Sequence, residues 1–147
     1  MNCPVDRVVV NEQKIRLVAF FVFLLVLVNY LQSNIFLSLF IVVDFYCRAF
    51  LDGKFSVLSR IAGLLEKCNW IGIKNVDRAP KRFAAMIGFS MSLLLAISVL
   101  LNLTIFIVLI SSVFISFAFL ESTFGFCAGC YVYHFLQHIK SNDAKDL

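Results

Sequence analysis

The sequence predicts an all-α transmembrane bundle of four spans, with a cytoplasmic interfacial amphipathic helix between spans two and three. Three observations lead there. Of 147 residues, 61% are hydrophobic and only 15% are charged, whereas an ordinary soluble domain is roughly 45–50% apolar and about 25% charged. A small soluble core cannot hide that excess, because small domains leave much of their surface in water. Four apolar stretches organise the chain, over residues 15–31, 35–51, 83–101 and 103–121. All 13 basic residues fall on one side of the four-span arrangement, the side that the positive-inside tendency assigns to the cytoplasm.

The N-terminal sixteen residues carry Arg7, Lys14 and Arg16. A crossing takes about 20 residues, with a lower limit near 17, so the first two stretches are short spans that can each borrow a turn from a flank. No small-x-small cleavage pattern precedes the polar turn, and the apolar run exceeds that of a signal peptide, so the first span is expected to be retained. The turn at 31–34 has no charge. Between the second and third spans stand Lys54, Arg60, Lys67, Lys74, Arg78, Lys81 and Arg82. Within that connector Leu58, Ile61, Ala62, Leu65 and Cys68 recur at helical spacing. They predict an interfacial helix over 56–69, with Phe55 and Trp70 as anchors.

Pro80 fits the first turn of the third span, where its missing N–H is not needed. Gly88, Ser92 and Ala96 then repeat every four residues and form a small-residue face for helix packing, inside the bundle or in a homodimer. The turn at 101–104 is again uncharged. Its Asn102-Leu103-Thr104 matches a glycosylation acceptor by chance, at the membrane boundary. The tail adds Lys140 and Lys145. Residues 1–147 therefore read as a single multi-pass domain with both termini cytoplasmic. Its basic residues serve anionic lipid headgroups, not nucleic acid.

Two clusters carry chemistry. Asp44 and Arg48 are four residues apart and share a helix face. A charge at membrane depth is costly unless paired, wetted or turned inward, so a network of Asp44, Arg48 and Glu121 is expected. The second cluster is the segment 124–138, with Cys127 and Cys130 as a Cys-x-x-Cys pair near the cytoplasmic face. Gly125 and Gly129 weaken a continuous helix. A restart near Phe126 points backbone N–H groups at Cys127 and favours its thiolate. Such a pair suits a reversible disulfide, or two ligands of a soft metal. Two ligands do not complete a zinc site, so no resident metal is predicted, although Cys3 offers a third sulfur and His134 and His138 share a face. Cys47 and Cys68 read as small apolar residues.

Three pieces of the chain also carry a family resemblance: Cys3-Pro4-Val5-Asp6, then Asp77 to Ala85 with Ile87-Gly88, and Phe124 to Cys130. Asp44, Arg48-Ala49-Phe50 and Ser59-Arg60 add to it. Over about residues 3–136 the chain resembles the bacterial domain-of-unknown-function family 4395, small membrane proteins. The resemblance implies a bacterial inner-membrane protein whose thiols belong to its pattern, and it supplies no reaction. A looser likeness joins the chain to four-span thiol oxidoreductases that set a Cys-x-x-Cys pair beside a quinone.

The residues accordingly predict a membrane thiol protein that relays electrons or sulfur. Cys127 is the nucleophile, Cys130 the resolving thiol, Cys3 an exchange partner, and Glu121 a proton acceptor. Its partner is a thiol, a persulfide or another membrane protein. Two other readings fit the same residues. One is a small transporter or permease subunit for a sulfur species or soft metal, with Asp44 and Glu121 along the path. The other is a noncatalytic assembly subunit. No nucleotide loop, triad or haem-attachment motif supports a soluble enzyme.

Overall fold

The computed structural model describes residues 9–51, 53–68, 72, 74–125 and 127–145. Cys3, Asp52, Trp70 and Phe126, which bear on the expectations above, lie outside the described residues. The elements in order are β1 (Val9–Asn11), α1 (Glu12–Gln32), α2 (Ile35–Phe50), α3 (Val57–Lys67), β2 (Asn75–Asp77), α4 (Arg78–Leu100), α5 (Thr104–Phe124) and α6 (Ala128–Asp143).

Among the described residues, the expected four spans become three. The helices long and apolar enough to cross a membrane are α1, residues 80–100 of α4, and α5. The second stretch forms α2, which has only 16 residues, or about 24 Å at 1.5 Å per residue, short of a hydrocarbon core of about 30 Å. It has no flank to borrow. Asn34 caps its start by accepting a hydrogen bond from the Phe36 N–H at 2.9 Å, and the chain leaves the helix at Leu51. The bundle is otherwise helical, apart from β1 and β2, which pair antiparallel with Val10 opposite Val76.

Two antiparallel helix pairs make the core. Along α1 and α5, Glu12 and Arg16 meet the segment around Gly125, and Phe23 meets Phe119 at 5.8 Å between ring centroids. Along α2 and α4, the Arg82 Nε–H donates to the Ala49 carbonyl at 3.0 Å, and Phe45 covers Gly88, where a methyl would stand 2.2 Å from the ring. Buried Val22, Val26, Ile41, Leu95 and Phe114 fill the space between the pairs. Far from the charged end, buried Asn29 donates to Ser38 Oγ at 3.0 Å and joins α1 to α2. Each meets part of the other's hydrogen-bonding need where water is excluded.

The small-residue face of α4 is used within the chain. Gly88 lies beneath Phe45, and Ser92 and Ala96 are buried. Outward-facing Phe36, Leu94, Ile105, Phe106 and Leu109 are exposed, the arrangement of a bundle that uses lipid as solvent.

The charged end is organised by Asn11. Its side chain caps α1 by accepting from the Gln13 N–H at 3.1 Å and also accepts from the Lys74 N–H at 3.2 Å. Its amide donates to Glu66 of α3 at 2.7 Å. One residue thus ties β1, the start of α1, the approach to β2 and the amphipathic helix together.

Candidate functional site

The chain turns sharply where α5 ends. Gly125 adopts a left-handed backbone, φ 66°, and its N–H returns to the Glu121 carbonyl at 3.1 Å. A left-handed C-cap of this kind strongly favours glycine. Arg16 of α1 secures the same terminus: its Nε–H donates to the Ser122 carbonyl at 3.3 Å and its Nη2 donates to the Thr123 carbonyl. A guanidinium there satisfies orphan carbonyls and meets the negative end of the helix dipole.

Two residues beyond the turn, Cys127 becomes the N-cap of α6. Its backbone is extended, and its sulfur accepts from the Cys130 N–H at 3.4 Å. The pair is a free dithiol, with Cys127 buried and Cys130 half-buried. Gly129 between them is dictated by packing, since a methyl there would stand 2.7 Å from Cα of Ala84 in α4. The N-terminus of α6 thus rests on the backbone of α4.

The two thiols differ in acidity. The Cys127 thiol is pushed up because it donates to Cys130, with burial and the neighbouring Glu121 charge adding to the effect. The Cys130 thiol is pushed down by accepting that hydrogen bond, with the Lys81 ammonium also favouring its thiolate against burial. A thiolate nucleophile needs such a partner and a path to solvent, and Cys130 has both.

Lys81 reaches the site from the first turns of α4 and pairs with Glu121 of α5 at 3.6 Å. Asp44 and Arg48 pair with each other at 3.0 Å, while Glu121 pairs with Lys81. Asp44 is buried and also accepts from Ser56 Oγ at 2.7 Å and the Leu58 N–H at 3.3 Å. It therefore anchors α2 to the start of α3. Arg48 stacks 4.0 Å over the Phe45 ring, a placement that supplements its ion pair through the negative ring face. Glu121 and Arg48 both line two adjoining cavities of about 210 and 200 Å³, and Cys127 lines the smaller.

Cys3 lies outside the described residues, so its distance from the pair is not defined. Cys47 is buried in α2 and Cys68 is exposed at the end of α3; neither lines these cavities. His134 and His138 are exposed on α6, where His138 Nδ1 meets Asn142 at 3.4 Å. Among the described residues, no group of three or more His, Cys, Asp or Glu side chains gathers to hold a metal. Sequence reasoning missed Lys81 and Arg16 as partners of this corner. Their only signal was position, since each stands at the charged start of a membrane-length helix.

A dithiol with one buried and one accessible sulfur, beside the end of a membrane-length helix, is equipped for thiol redox chemistry. Neither a curated protein nor a solved structure matches the chain. Residues 10–138 match the model of a family described as a domain of unknown function (DUF4395), and the chain belongs to that family of small integral-membrane proteins.

Proposed function

We propose that this multi-pass protein is a membrane-bound thiol carrier that passes electrons or sulfur through Cys127 and Cys130. The observation that supports it is the unequal dithiol: a buried Cys127 whose sulfur accepts from the Cys130 N–H, next to a more exposed Cys130. The sequence reading put first attack at Cys127; greater exposure and a lowered thiol pKa favour Cys130 for that role. The Cys130 thiolate attacks a sulfur of a partner disulfide, forming a mixed disulfide while the departing partner sulfur takes the bond's electron pair. Cys127 then loses its proton, with Glu121 as a nearby acceptor, and attacks Cys130. The Cys127–Cys130 disulfide forms, and the partner leaves with both sulfurs reduced. With a persulfide, attack on its outer sulfur moves that sulfur to Cys130 and releases the donor thiolate.

The basic end of the bundle belongs at the cytoplasmic face of a bacterial inner membrane. The short α2 carries the chain back to this end, so β1 and α6 both belong to it, which supports the reading that both termini face that side. In a reducing cytoplasm the pair is kept available for exchange and not locked as a structural disulfide. A quinone or a soft metal is not required by this reaction.

Trapping separates the roles. Cys127→Ser should accumulate a mixed disulfide on Cys130 when membranes are exposed to a small disulfide or to partner proteins, because no resolving thiol remains. Cys130→Ser should accumulate less on Cys127. Absence of an adduct in both variants, with both thiols open to alkylation after denaturation, would exclude the carrier.

A permease reading draws on one observation, the two adjoining cavities that share Arg48 and Glu121. Asp44 lines neither cavity. Reconstituted vesicles should then show flux of thiosulfate, a persulfide or a soft metal that disappears with both thiols; unaltered flux in Cys127→Ser/Cys130→Ser would exclude a thiol-dependent path.

A further inference from the structure

We infer that the larger cavity, about 210 Å³ at the charged end of the bundle, is a binding site for a small multivalent oxyanion of the phosphate or sulfate class. Lys14 of α1, Arg48 of α2, and Lys81 and Arg82 of α4 all line it, against Glu121 as the facing carboxylate. Four cations converge from three helices on one hollow. Two carboxylates offset them in part. Glu121 pairs with Lys81 at 3.6 Å, and Asp44, which does not line the cavity, pairs with Arg48 at 3.0 Å. Among the described residues, Lys14 and Arg82 have no carboxylate partner.

The second observation is the charge left over. With Arg48 and Lys81 each matched to a carboxylate, Lys14 and Arg82 line the hollow without one among the described residues, and a small oxyanion held there offsets that charge through charge-assisted contacts to lysine and arginine. The polar wall also continues along the Asn11 side chain. On the other side, Phe45, Arg48 and Glu121 separate this hollow from the cavity that Cys127 lines.

A phosphate-class group can arrive as a free ion or as the headgroup of an anionic lipid. The site does not depend on the thiol carrier proposal, because no sulfur lines it.

The test uses the full chain purified in a neutral detergent. Sodium sulfate and inorganic phosphate, compared with chloride at matched ionic strength, should raise the unfolding temperature in a saturable way. Lys14→Gln and Arg82→Gln each remove one cation without breaking an ion pair among the described residues, and each should weaken the apparent affinity about tenfold, as expected for loss of one charge-assisted contact. Cys127→Ser/Cys130→Ser should bind like the unmodified chain, which separates this result from failure of the thiol reaction. Nanodiscs distinguish the sources: phosphatidylglycerol abolishing the sulfate response seen in phosphatidylcholine identifies a lipid headgroup, and an equal response in both identifies a free ion. No saturable response in detergent or phosphatidylcholine would overturn the inference. So would equal responses in the unmodified chain, Lys14→Gln and Arg82→Gln.

Discussion

Gly129 stands so close to Ala84 that a methyl on it would fall 2.7 Å from both Cα and Cβ of that residue. The contact fixes where α6 begins, and therefore where Cys127 and Cys130 stand against α4. Alanine at 129 would gain about 1 kcal/mol of helix propensity. The clash opposes that gain, because the obstructing atoms belong to the α4 backbone and overpacking of this kind costs about 1–3 kcal/mol. Gly129→Ala should displace the start of α6 and expose Cys127. Its alkylation by a water-soluble maleimide, slow in the unmodified protein, should accelerate. An unchanged rate together with an unchanged or higher unfolding temperature would show that α6 does not rest on α4 in this way.

The unequal acidity of the two thiols makes a signed prediction about pH. Cys130 is pushed down chiefly by the hydrogen bond from Cys127, and then by Lys81. Cys127→Ala removes the donor, so the Cys130 pKa should rise towards an ordinary thiol near 8.5. Below the pKa, thiolate falls tenfold for each pH unit, so the variant should react several-fold more slowly at pH 7, with the two rates converging above pH 9. Lys81→Gln should move the profile the same way. A profile that stays in place in both variants would remove the basis for assigning first attack to Cys130.

How much of this corner could be read from the sequence depends on the range of the contact. The Asp44–Arg48 pair follows from helical spacing, and the break of the helix at Gly125 follows from glycine weakening a continuous helix. The spacing of Cys127 and Cys130 likewise placed two thiols on one turn. The partners from other helices were not legible: Arg16 meets carbonyls 106 and 107 positions away, and no local period encodes such a meeting. The second span was overcounted for a definable reason. Hydropathy alone runs on to Leu51, but Asn34 caps one end and the helix closes at Phe50, leaving about 24 Å of rise. Asparagine before an apolar run was a visible stop signal, and it outweighs the borrowed turn.

Packing of α2 on α4 depends on a large residue set against a small one. A methyl at Gly88 would fall 2.2 Å from the Phe45 ring, and that ring also touches Phe114 at 5.4 Å between centroids and underlies Arg48 at 4.0 Å. Gly88→Ala should therefore destabilise the protein by about 1–3 kcal/mol, the cost of overpacking. Phe45→Leu leaves a cavity instead, at a cost of a few kcal/mol. Combined, the two changes should cost less than the sum of each alone, since the smaller ring substitute makes room for the methyl. Unfolding in detergent, followed by tryptophan-independent thiol exposure of buried Cys47, measures all three variants. Simple additivity would mean that Phe45 does not occupy the space above Gly88.

Asp44 should be the most sensitive carboxylate in the protein. It is 3% exposed and receives the Ser56 hydroxyl, the Leu58 N–H and the Arg48 guanidinium. It therefore holds the end of α2, the cap of α3 and a buried cation in one place. Asp44→Ala leaves Arg48 buried without its counter-charge, a loss that typically costs about 3–5 kcal/mol. Asp44→Asn keeps the size and one acceptor oxygen for Ser56 and Leu58, so it should be milder while still weakening the arginine's placement. The double change Asp44→Leu with Arg48→Met removes both charges together, and such replacements are often neutral or stabilising. The expected order of unfolding temperatures is Asp44→Ala lowest, Asp44→Asn between, and the double variant nearest the unmodified protein. If Asp44→Ala and the double variant fell equally far, the hydrogen bonds to Ser56 and Leu58 would be what matters, and the ion pair would contribute little to holding α2 against α3.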